Sequence, residues 1–262
     1  MREGKLMPVI AITNQKGGVS KTSTTVNLAG AMAKKGRHVL IVDMDPQGAV
    51  ATAFGYLPDL LNPTIYEVFF HGVTTKEAIL APEQIPNIHI LPSNLSMAEG
   101  EVRLISEMGR EYFLKKALCD VIGDYDYVLI DCPPSLSVLS TNAIVAAEYT
   151  LIPVAPDLLS LRGMENLLEH IVKVKEVLNP SLNVLGIVIS MFDKRTLHAR
   201  EAKQLVEREF GHQIRIFQTT VSYTTKVKDS YTAKLPVVYY DPTSTVSQQY
   251  MSLAEEVEHA IS

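Results

Sequence analysis

The segment from residue 14 to residue 24, NQKGGVSKTST, has the residue types needed to hold a chain of phosphates. Gly17 and Gly18 lack a Cβ, so their backbone can take unusual angles and turn its N–H groups toward phosphate oxygens. Lys21 would lie against the β- and γ-phosphates, and the hydroxyl of Thr22 would ligate Mg²⁺. A helix beginning near Lys21 would add N–H donors and a positive dipole end. The predicted nucleotide contacts of this phosphate loop are Lys16, Gly17, Gly18, Val19, Ser20, Lys21, Thr22 and Ser23.

The spacing within the phosphate loop differs from the ordinary pattern GxxxxGK[ST]. The two framing glycines of that pattern would fall at Gln15 and Ser20. The loop instead fits KGGxxK[ST], which has an additional lysine, here Lys16. The alternative interpretation is a glycine-rich turn between a strand and a helix. The glycine pair, the Lys-Thr pair and the preceding apolar run together favour a phosphate loop that binds ATP or ADP with Mg²⁺.

Acidic residues follow two other apolar runs, where a nucleotide site requires them. Asp43 and Asp45 follow Val39–Val42. Asp131 follows Tyr127–Ile130. A carboxylate at the end of a buried strand is costly unless a cation pairs with it, and Mg²⁺ uses few carboxylates while keeping several waters. The alternative is that these aspartates cap helices or form turns. The residues alone leave open whether Asp43 or Asp45 faces the nucleotide.

Composition places these residues in a globular protein. The chain has 262 residues, and 47% of them are hydrophobic, which is enough for a substantial core. The sequence shows no internal repeat or linker, so we expect one domain over residues 1–262, without a helix-turn-helix extension before the phosphate loop. No apolar run reaches the roughly 18 residues needed to span a bilayer. Cys119 and Cys132 form no CxxC pair, so we expect a reducing cytoplasm.

Short apolar runs alternate with longer helical stretches, a pattern typical of an α/β fold. Most of the runs lack polar alternation, as expected of strands covered on both faces. The pattern predicts a doubly wound, mainly parallel twisted sheet flanked by helices, with ligands bound beyond the carboxyl ends of the strands. The predicted strands are Val9–Thr13, His38–Val42, Ile88–Leu91, Tyr127–Ile130, Tyr149–Val154, Val184–Ser190 and Ile214–Phe217. The predicted helices are Lys21–Lys35, Met97–Ile122, Ser140–Ala147, Arg162–Leu178, Leu197–Phe210 and Ser244–Ile261.

These motifs resemble those of the ParA/MinD family of deviant P-loop ATPases, and most of all the short, Soj-type ParA proteins that segregate chromosomes and plasmids. The similarity rests on Lys16–Thr22, Asp43–Gly48 and Asp131–Ser135, with a weaker match at Met191–Asp193. It extends to Tyr240–Ser244 and the last predicted helix. The resemblance implies the P-loop NTPase fold and a slow, partner-stimulated hydrolysis of ATP to ADP and phosphate.

The resemblance also implies how individual residues act. ATP would join two subunits face to face around two nucleotides, and Lys16 would reach the phosphates of the other subunit as an arginine finger does. Asp45 would orient the attacking water, and Asp131 would hold the magnesium shell. The implied catalytic residues are thus Lys16 and Asp45, and the implied metal residues are Thr22, Asp45 and Asp131. Family precedent places the adenine near Met191, Asp193 and Ser222.

The resemblance further implies an ATP-bound homodimer that binds double-stranded DNA without sequence preference and is released by a ParB-like partner. The chain departs from the family here, because Tyr223 and Lys226 replace the arginines of a Pro-Arg-Asn-Val-Arg-like segment. Residues 190–235 contain nine Lys/Arg and five Asp/Glu, within a chain of net charge −5. The alternative is an ordinary solvated surface of mixed charge. The candidate DNA-phosphate contacts, which need only positive charge, are Arg195, Arg200, Lys203, Lys226, Lys228 and Lys234.

Three other functions stay open at this point. The first is a MinD-like, membrane-cycling ATPase for division-site or flagellum positioning, but the acidic segment 250–259 is a poor match for anionic lipid. We therefore expect a cytoplasmic, nucleoid-associated protein without stable membrane association. The second is a metal-cluster carrier, which would need four thiolates that only a dimer could assemble. The third is the same DNA-bound ATPase with a cargo other than a chromosome or plasmid.

Overall fold

Six parallel strands form a sheet within residues 7–262, the part of the chain that the computed structural model describes, without the side chains of residues 158–162. The strands are β1 Val9–Ile12, β2 Val39–Asp43, β3 Ile88–Leu91, β4 Tyr127–Asp131, β5 Tyr149–Val154 and β6 Asn183–Ile189. They pair in parallel in the order β3-β2-β4-β1-β5-β6. The predicted doubly wound, parallel α/β fold is therefore confirmed.

Helices cover both faces of the sheet. Successive residues of β1 show this, since Val9 packs in the same core cluster as Leu139, while Ile10 packs in the cluster that contains Leu28. None of the described helices is long and apolar enough to cross a bilayer. The helices are α1 Lys21–Lys34, α2 Ala49–Ala53, α3 Ile65–Phe70, α4 Thr75–Ala78, α5 Ser96–Leu104, α6 Phe113–Leu118, α7 Val138–Ala146, α8 Leu158–Val177, α9 Leu197–Phe210, α10 Lys226–Thr232, α11 Val237–Tyr240 and α12 Thr245–Ile261.

The carboxyl ends of three central strands lie level with one another. Ile12 at the end of β1 pairs with Asp131 at the end of β4, and Asp131 pairs in turn with Asp43 at the end of β2. The phosphate loop therefore leaves β1 beside two strand ends that bear carboxylates. Because β1 lies between β4 and β5, the loop also lies where doubly wound sheets bind their ligands.

The seventh predicted strand, Ile214–Phe217, is wrong. Ile216 makes only an isolated parallel bridge to Ile187 of β6. The ladder goes no further because the carboxylate of Glu256, in α12, accepts the N–H of Gln218 at 2.8 Å and that of the next residue at 2.9 Å. A side chain from a distant helix thus takes the backbone donors that a seventh strand would need.

The long predicted helix Met97–Ile122 is also wrong, since it breaks into α5, a 3₁₀ turn and α6. The first part, α5, ends at Leu104, and Gly109, with a φ of 65° in the left-handed region that glycine tolerates, directly precedes the 3₁₀ turn. Asn142 of α7 holds the second part: its amide donates to the carbonyl of Arg110 at 2.7 Å, and its oxygen accepts the N–H of Leu114 at 3.1 Å. A contact between helices therefore sets where α6 begins.

Five short helices, α2, α3, α4, α10 and α11, are absent from the predicted set, whereas α1, α7, α8, α9 and α12 agree with it to within a few residues. Two of the five have capping boxes. At the start of α3, the side chain of Thr64 accepts a backbone N–H of the helix, and the side chain of Glu67 accepts the N–H of Thr64. Thr74 and Glu77 form the same arrangement at α4. This T-x-x-E pattern is visible in the sequence and would have indicated both helices.

Candidate nucleotide-binding site

The phosphate loop is tied to the strands on either side of it. The side-chain amide of Asn14 donates to the carbonyl of Pro153 in β5 at 2.8 Å, and its oxygen accepts the N–H of Lys16 at 3.0 Å. The hydroxyl of Ser190, just after β6, donates to the carbonyl of Val19 at 2.9 Å. Asn14 and Ser190 are fully buried. Hydrogen bonds in such an interior are strong, so they hold the loop in one shape.

Two residues of the phosphate loop have left-handed backbone. Gly18 has a φ of 76°, and Ser20 has a φ of 67°. Ser20 stands where the ordinary pattern has its second glycine, so this chain keeps the backbone shape with a side chain that disfavours it. Ser20 is also the residue before α1, and its side chain does not cap that helix. The first N–H groups of α1 are therefore left to bind a ligand.

Lys21, the first residue of α1, is only 7% exposed. Its ammonium donates to the carbonyl of Lys16 at 3.1 Å, so the side chain folds back over the loop. Burial lowers the pKa of Lys21, and the negative charge of Asp131 partly opposes that shift. A desolvated ammonium among backbone N–H donors is suited to a polyphosphate, whose charge compensates the cost of burial.

Asp131, at the end of β4, lies behind the start of α1. One of its oxygens accepts the hydroxyl of Thr22 at 2.6 Å, and the other accepts that of Thr25 at 3.2 Å. Burial raises the pKa of Asp131 to about 7, although the Thr22 hydrogen bond and the charge of Lys21 act in the opposite direction. A carboxylate with this pKa is partly protonated at neutral pH, and a nearby cation would restore its charge.

Mg²⁺ fits the residues at this place. In the part of the chain that the structure describes, no three His, Cys, Asp or Glu side chains form a metal-ligating group. Mg²⁺ needs no such group, because it keeps several waters and binds one or two protein oxygens together with phosphates. The hydroxyl of Thr22, with the buried carboxylate of Asp131 2.6 Å behind it, supplies that kind of donor set.

The structure gives Asp43 and Asp45 different surroundings. Asp43 is buried, and its two oxygens accept the N–H groups of Asp45 at 2.9 Å and of Val50, in α2, at 3.2 Å. Burial, with the charge of Asp131, raises the pKa of Asp43 well above its ordinary range. Asp45 lies on the wall of the cleft beside the phosphate loop. Asp43 therefore shapes the turn, and Asp45 is the carboxylate that faces the cleft.

The additional lysine of the loop makes an ion pair within its own chain. The ammonium of Lys16 lies 2.5 Å from a carboxylate oxygen of Asp157, which follows β5. The two side chains are 32% and 34% exposed, so solvent screens the pair. Pairs of this kind contribute on the order of 1 kcal/mol, so Lys16 can leave Asp157 at little cost.

An open cleft of about 320 Å³ lies beside the phosphate loop. The predicted adenine residues Met191 and Ser222 line it, whereas Asp193 does not. Val19 is buried, so only its backbone is available to a ligand. The loop and the acidic segments contribute Gly17, Gly18, Ser20, Lys21, Thr22, Ser23, Asp45 and Pro134 to the lining. The second half of the chain contributes Met191, Val221, Ser222, Tyr223, Thr224, Val227, Lys228 and Tyr250.

Asp193 lines a neighbouring depression of about 340 Å³ instead. Arg195 binds its carboxylate through Nε at 2.9 Å and Nη2 at 2.8 Å, and these hydrogen bonds lower the pKa of Asp193 to about 2. Of the other predicted adenine residues, Ser222 lines this depression with Asp193, whereas Met191 lines only the cleft. One strip of chain, Ser222–Thr224, lines both hollows.

Sequence reasoning missed the contribution of α10 and α12 to the cleft. Tyr250 of α12 is 1% exposed, and Lys228 of α10 also lines the cleft. These helices reach the cleft by packing on α1, as the 3.2 Å hydrogen bond from the amide of Asn27 to the hydroxyl of Tyr231 shows. More than 200 residues separate the two partners along the chain, so no local spacing could have indicated the contact.

The six predicted DNA contacts fall in different places. Arg195 and Lys226 line the depression that contains Asp193, whereas Lys228 lines the nucleotide cleft. Arg200 and Lys203 lie on α9, and Lys234 follows α10 with its stem packed over Gly55.

Three of these cations have acidic partners, which reduces the field they present. Arg195 pairs with Asp193, and Lys203 pairs with Glu207 one helical turn away at 3.6 Å. Lys226 pairs with Asp241 at 2.5 Å. The pairs are solvent-exposed, so phosphate groups could compete for the cations.

Residues 7–184 match a protein-family model described as an AAA domain. Three relatives match along nearly the whole chain. An uncharacterized protein of Mycobacterium tuberculosis is 38% identical over 95% of this chain and 78% of its own length. The chromosome partitioning protein ParA of Myxococcus xanthus is 36% identical over 95% of this chain and 87% of its own. The sporulation initiation inhibitor protein Soj of Bacillus subtilis is 34% identical over 95% and 97%.

Solved structures show the same fold. A Mycobacterium smegmatis protein named cobyrinic acid a,c-diamide synthase, with bound ADP and magnesium, superposes with a TM-score of 0.84 and 33% identity over 95% of this chain and 93% of its own. The same protein was also solved with an ATP analog and magnesium. The cell division ATPase MinD of Pyrococcus furiosus has a TM-score of 0.76 and 24% identity over 97% and 99%. ADP, ATP and magnesium are the ligands that the phosphate loop of the present chain predicts.

Proposed function

This chain belongs to the ParA/MinD family of P-loop ATPases, and from that premise we propose that it is an ATP-dependent dimerising switch that binds DNA non-specifically and partitions a chromosome, a plasmid or another cargo. One observation carries the proposal. Lys21, Thr22 and the carboxylate of Asp45 line one cleft, and Lys16 of the same loop makes a partly exposed ion pair with Asp157. This is the set of groups that a two-subunit ATPase needs.

Binding of the nucleotide starts from the loop itself. The N–H groups around Gly18 and the start of α1 point their positive ends at the polyphosphate, and the ammonium of Lys21 adds a full charge. Thr22 and Asp131 would hold the magnesium ion, which would neutralise charge on the phosphates. The positive charge of the cation would oppose the effect of burial on the pKa of Asp131 and favour its deprotonated form.

Asp45 and Lys16 have different roles in the proposed hydrolysis. Asp45 orients the water that attacks the γ-phosphate, and the N–H of Gln47, 2.9 Å from one of its oxygens, fixes the carboxylate. Lys16 leaves Asp157 and reaches the phosphates of the second subunit, where its charge stabilises the transition state. A lysine supplied by the other subunit makes hydrolysis depend on dimerisation.

An electrophoretic mobility shift assay tests the proposed DNA binding. Wild-type protein is mixed with either of two unrelated duplexes of equal length, in Mg·ATP, in Mg·ADP or without nucleotide. We expect a shift in Mg·ATP alone, with the same midpoint on both duplexes, because phosphate contacts carry no base information. Lys21→Ala is the control and should give no shift in any state. Equal binding in all three states, or none in any, would contradict the switch.

The partner is proposed to be a ParB-like centromere-binding or cargo-adaptor protein that stimulates hydrolysis and so releases the dimer from DNA. The protein would accordingly be found on the nucleoid. A fluorescent fusion should follow the DNA stain in cells, and the Lys21→Ala fusion should spread evenly. Identical distributions of the two fusions would count against nucleoid association.

A membrane-cycling function is the second candidate, and α12 bears on it. The apolar side of α12 packs into the core through Val246, Leu253 and Val257. Glu258, on the same helix, pairs with Lys35 at 2.5 Å and with Arg37 at 2.9 Å. The apolar side of this helix is therefore committed to the fold. Pelleting with anionic liposomes in Mg·ATP separates the two functions, since strong pelleting would favour the membrane.

A metal-cluster carrier is the weaker alternative. Cys132 is 1% exposed, and burial raises the pKa of its thiol above the ordinary range. A thiol that is buried in the protonated form is a poor cluster ligand, because the ligand is the thiolate. The absorbance of the purified protein between 350 and 450 nm, roughly where iron–sulfur clusters absorb, tests this directly, and a colourless protein would exclude the carrier.

A further inference from the structure

Lys228 differs from the other predicted DNA contacts in its position. It lines the nucleotide cleft together with Val227. Lys226, two positions earlier in α10, lines the neighbouring depression and pairs with Asp241 at 2.5 Å. Residues two apart on a helix point about 200° away from each other, so the two ammonium groups serve opposite sides of α10.

The cleft side of α10 is fixed against the helix that starts at the phosphates. The hydroxyl of Tyr231 accepts the amide of Asn27 at 3.2 Å and shares a hydrogen bond with Ser23. Burial raises the pKa of Tyr231 to about 12, in agreement with its packing between the two helices. Lys228 precedes Tyr231 by three positions, so both lie on the side of α10 that meets α1. Lys228 and Ser23 both line the cleft, and Tyr231, one helical turn from Lys228, hydrogen-bonds Ser23.

Two lysines would then supply positive charge to the phosphates of the nucleotide, one from the phosphate loop and one from α10. Lys21 is nearly buried and belongs to the phosphate loop, where the β- and γ-phosphates bind. We expect Ser23, one of the nucleotide contacts predicted from the sequence, to lie at the α-phosphate. Lys228 belongs to α10 and is exposed, so its ammonium keeps its hydration until a ligand arrives.

We propose that Lys228 is a nucleotide-binding residue, whose ammonium contacts the α-phosphate of bound ATP or ADP beside Ser23, and that it does not contact the DNA backbone. The inference rests on the proposed nucleotide site and adds a residue to it. Because ATP and ADP both have an α-phosphate, Lys228 strengthens the binding of both nucleotides by about the same factor. Lys226, on the other side of α10, is left as the DNA contact of this helix.

The test compares Lys228→Gln with its matched control Lys226→Gln by calorimetric titration with Mg·ADP. We expect Lys228→Gln to weaken the affinity about three- to tenfold, as for one partly exposed charged contact, and Lys226→Gln to change it less than about twofold. Lys228→Arg should retain most of the wild-type affinity, because it keeps the charge. Thermal melting of all three variants verifies folding, and both lysines are exposed, so we expect melting temperatures close to that of the wild type.

A second measurement takes DNA binding at saturating Mg·ATP. Here Lys228→Gln should bind DNA as the wild type does, and Lys226→Gln should bind more weakly. The inference is overturned if Lys228→Gln binds Mg·ADP with wild-type affinity, or if it loses as much DNA binding at saturating nucleotide as Lys226→Gln does. A wild-type protein that binds no Mg·ADP would instead overturn the proposed function itself, so the two failures are distinguishable.

Discussion

The fold holds the phosphate loop and the candidate DNA contacts Arg195 and Lys226 in opposite ways. Asn14 and Asp131 are fully buried and hydrogen-bonded to fixed atoms, and Lys21 is nearly so. Arg195 is 84% exposed and Lys226 is 47% exposed, and each pairs with a nearby carboxylate. A polyphosphate site depends on where its donors point, whereas a non-specific DNA surface depends mainly on total charge. Single substitutions should therefore have large effects in the loop and small effects on the surface.

Lys16→Ala should give the largest effect, on hydrolysis. If Lys16 acts on the second subunit as a transferred finger does, the partner-stimulated ATPase rate falls by about 10³-fold or more. Affinity for Mg·ADP should stay within about threefold, because Lys16 pairs with Asp157 in its own chain. Phosphate release and a Mg·ADP titration are the two measurements, with Lys35→Ala, remote from the cleft, as the control. Hydrolysis at the wild-type rate would remove the role in the second subunit.

Asp131→Asn should stabilise the protein without nucleotide or metal, and more so at high pH. The folded pKa of about 7 lies above the ordinary 3.8, so wild-type stability falls as pH rises from about 4 to about 7. The variant lacks this loss, so its gain should be larger at pH 8 than at pH 5 by on the order of 2–3 kcal/mol. Urea unfolding at the two pH values measures it.

The control for this prediction is Asp124→Asn, because Asp124 is 63% exposed and pairs with Lys76, which is equally exposed. It should change stability little at either pH. An equal gain for Asp131→Asn at both pH values would mean that Asp131 titrates normally, and the contrast between the buried and exposed carboxylates would then be lost.

Lys21→Ala should come next in size. Loss of a charge-assisted contact inside a buried phosphate site costs about 3 kcal/mol, so Mg·ADP affinity should fall about 100-fold. Isothermal titration measures the change, and Lys34→Ala at the far end of α1 serves as control. An affinity within about threefold of wild type would show that the loop does not bind the phosphates, and the distinction between loop and surface would fail.

Lys226→Gln should have the smallest effect, a modest loss of DNA affinity together with a weaker dependence of that affinity on salt. At saturating Mg·ATP, DNA affinity should fall a few-fold, and the slope of log affinity against log salt should flatten by about 0.9 for one lost phosphate contact. Fluorescence anisotropy across a salt series measures both, with Lys175→Gln in α8 as control. An unchanged slope would assign Lys226 to its pair with Asp241 alone.

The features that the sequence predicted correctly are those set by local chain order. Lys21 and Thr22 had to follow a strand and begin a helix, and the apolar runs before them and before Asp131 fixed the sheet edge. The predictions failed where a distant side chain decides the outcome. Glu256 prevents a seventh strand by taking its backbone donors, and Asn142 determines where α6 starts.

The positions of individual side chains in the candidate site likewise depend on contacts that form only in the folded chain. The choice between Asp43 and Asp45 depends on the N–H of Val50, which occupies an oxygen of Asp43 only once α2 has formed. Asp193 belongs to a motif that family likeness places at the adenine, yet Arg195, two residues on, holds it in the neighbouring depression. Neither outcome has a signature in spacing or composition, because each depends on which way a side chain turns in the folded chain.

The strip Ser222–Thr224 is a shared wall between the nucleotide cleft and the depression that holds Arg195 and Lys226. Gln249 holds this strip in place, because its side-chain oxygen accepts the N–H of Ser222 and its amide donates to the Ser222 hydroxyl, both at 2.9 Å. A ligand that displaces this strip from one side would therefore change the shape of the hollow on the other side. If the protein binds DNA as proposed, thermodynamic reciprocity requires DNA to change nucleotide affinity by the same factor as nucleotide changes DNA affinity, and the nucleoid would then act as an effector of the ATP site.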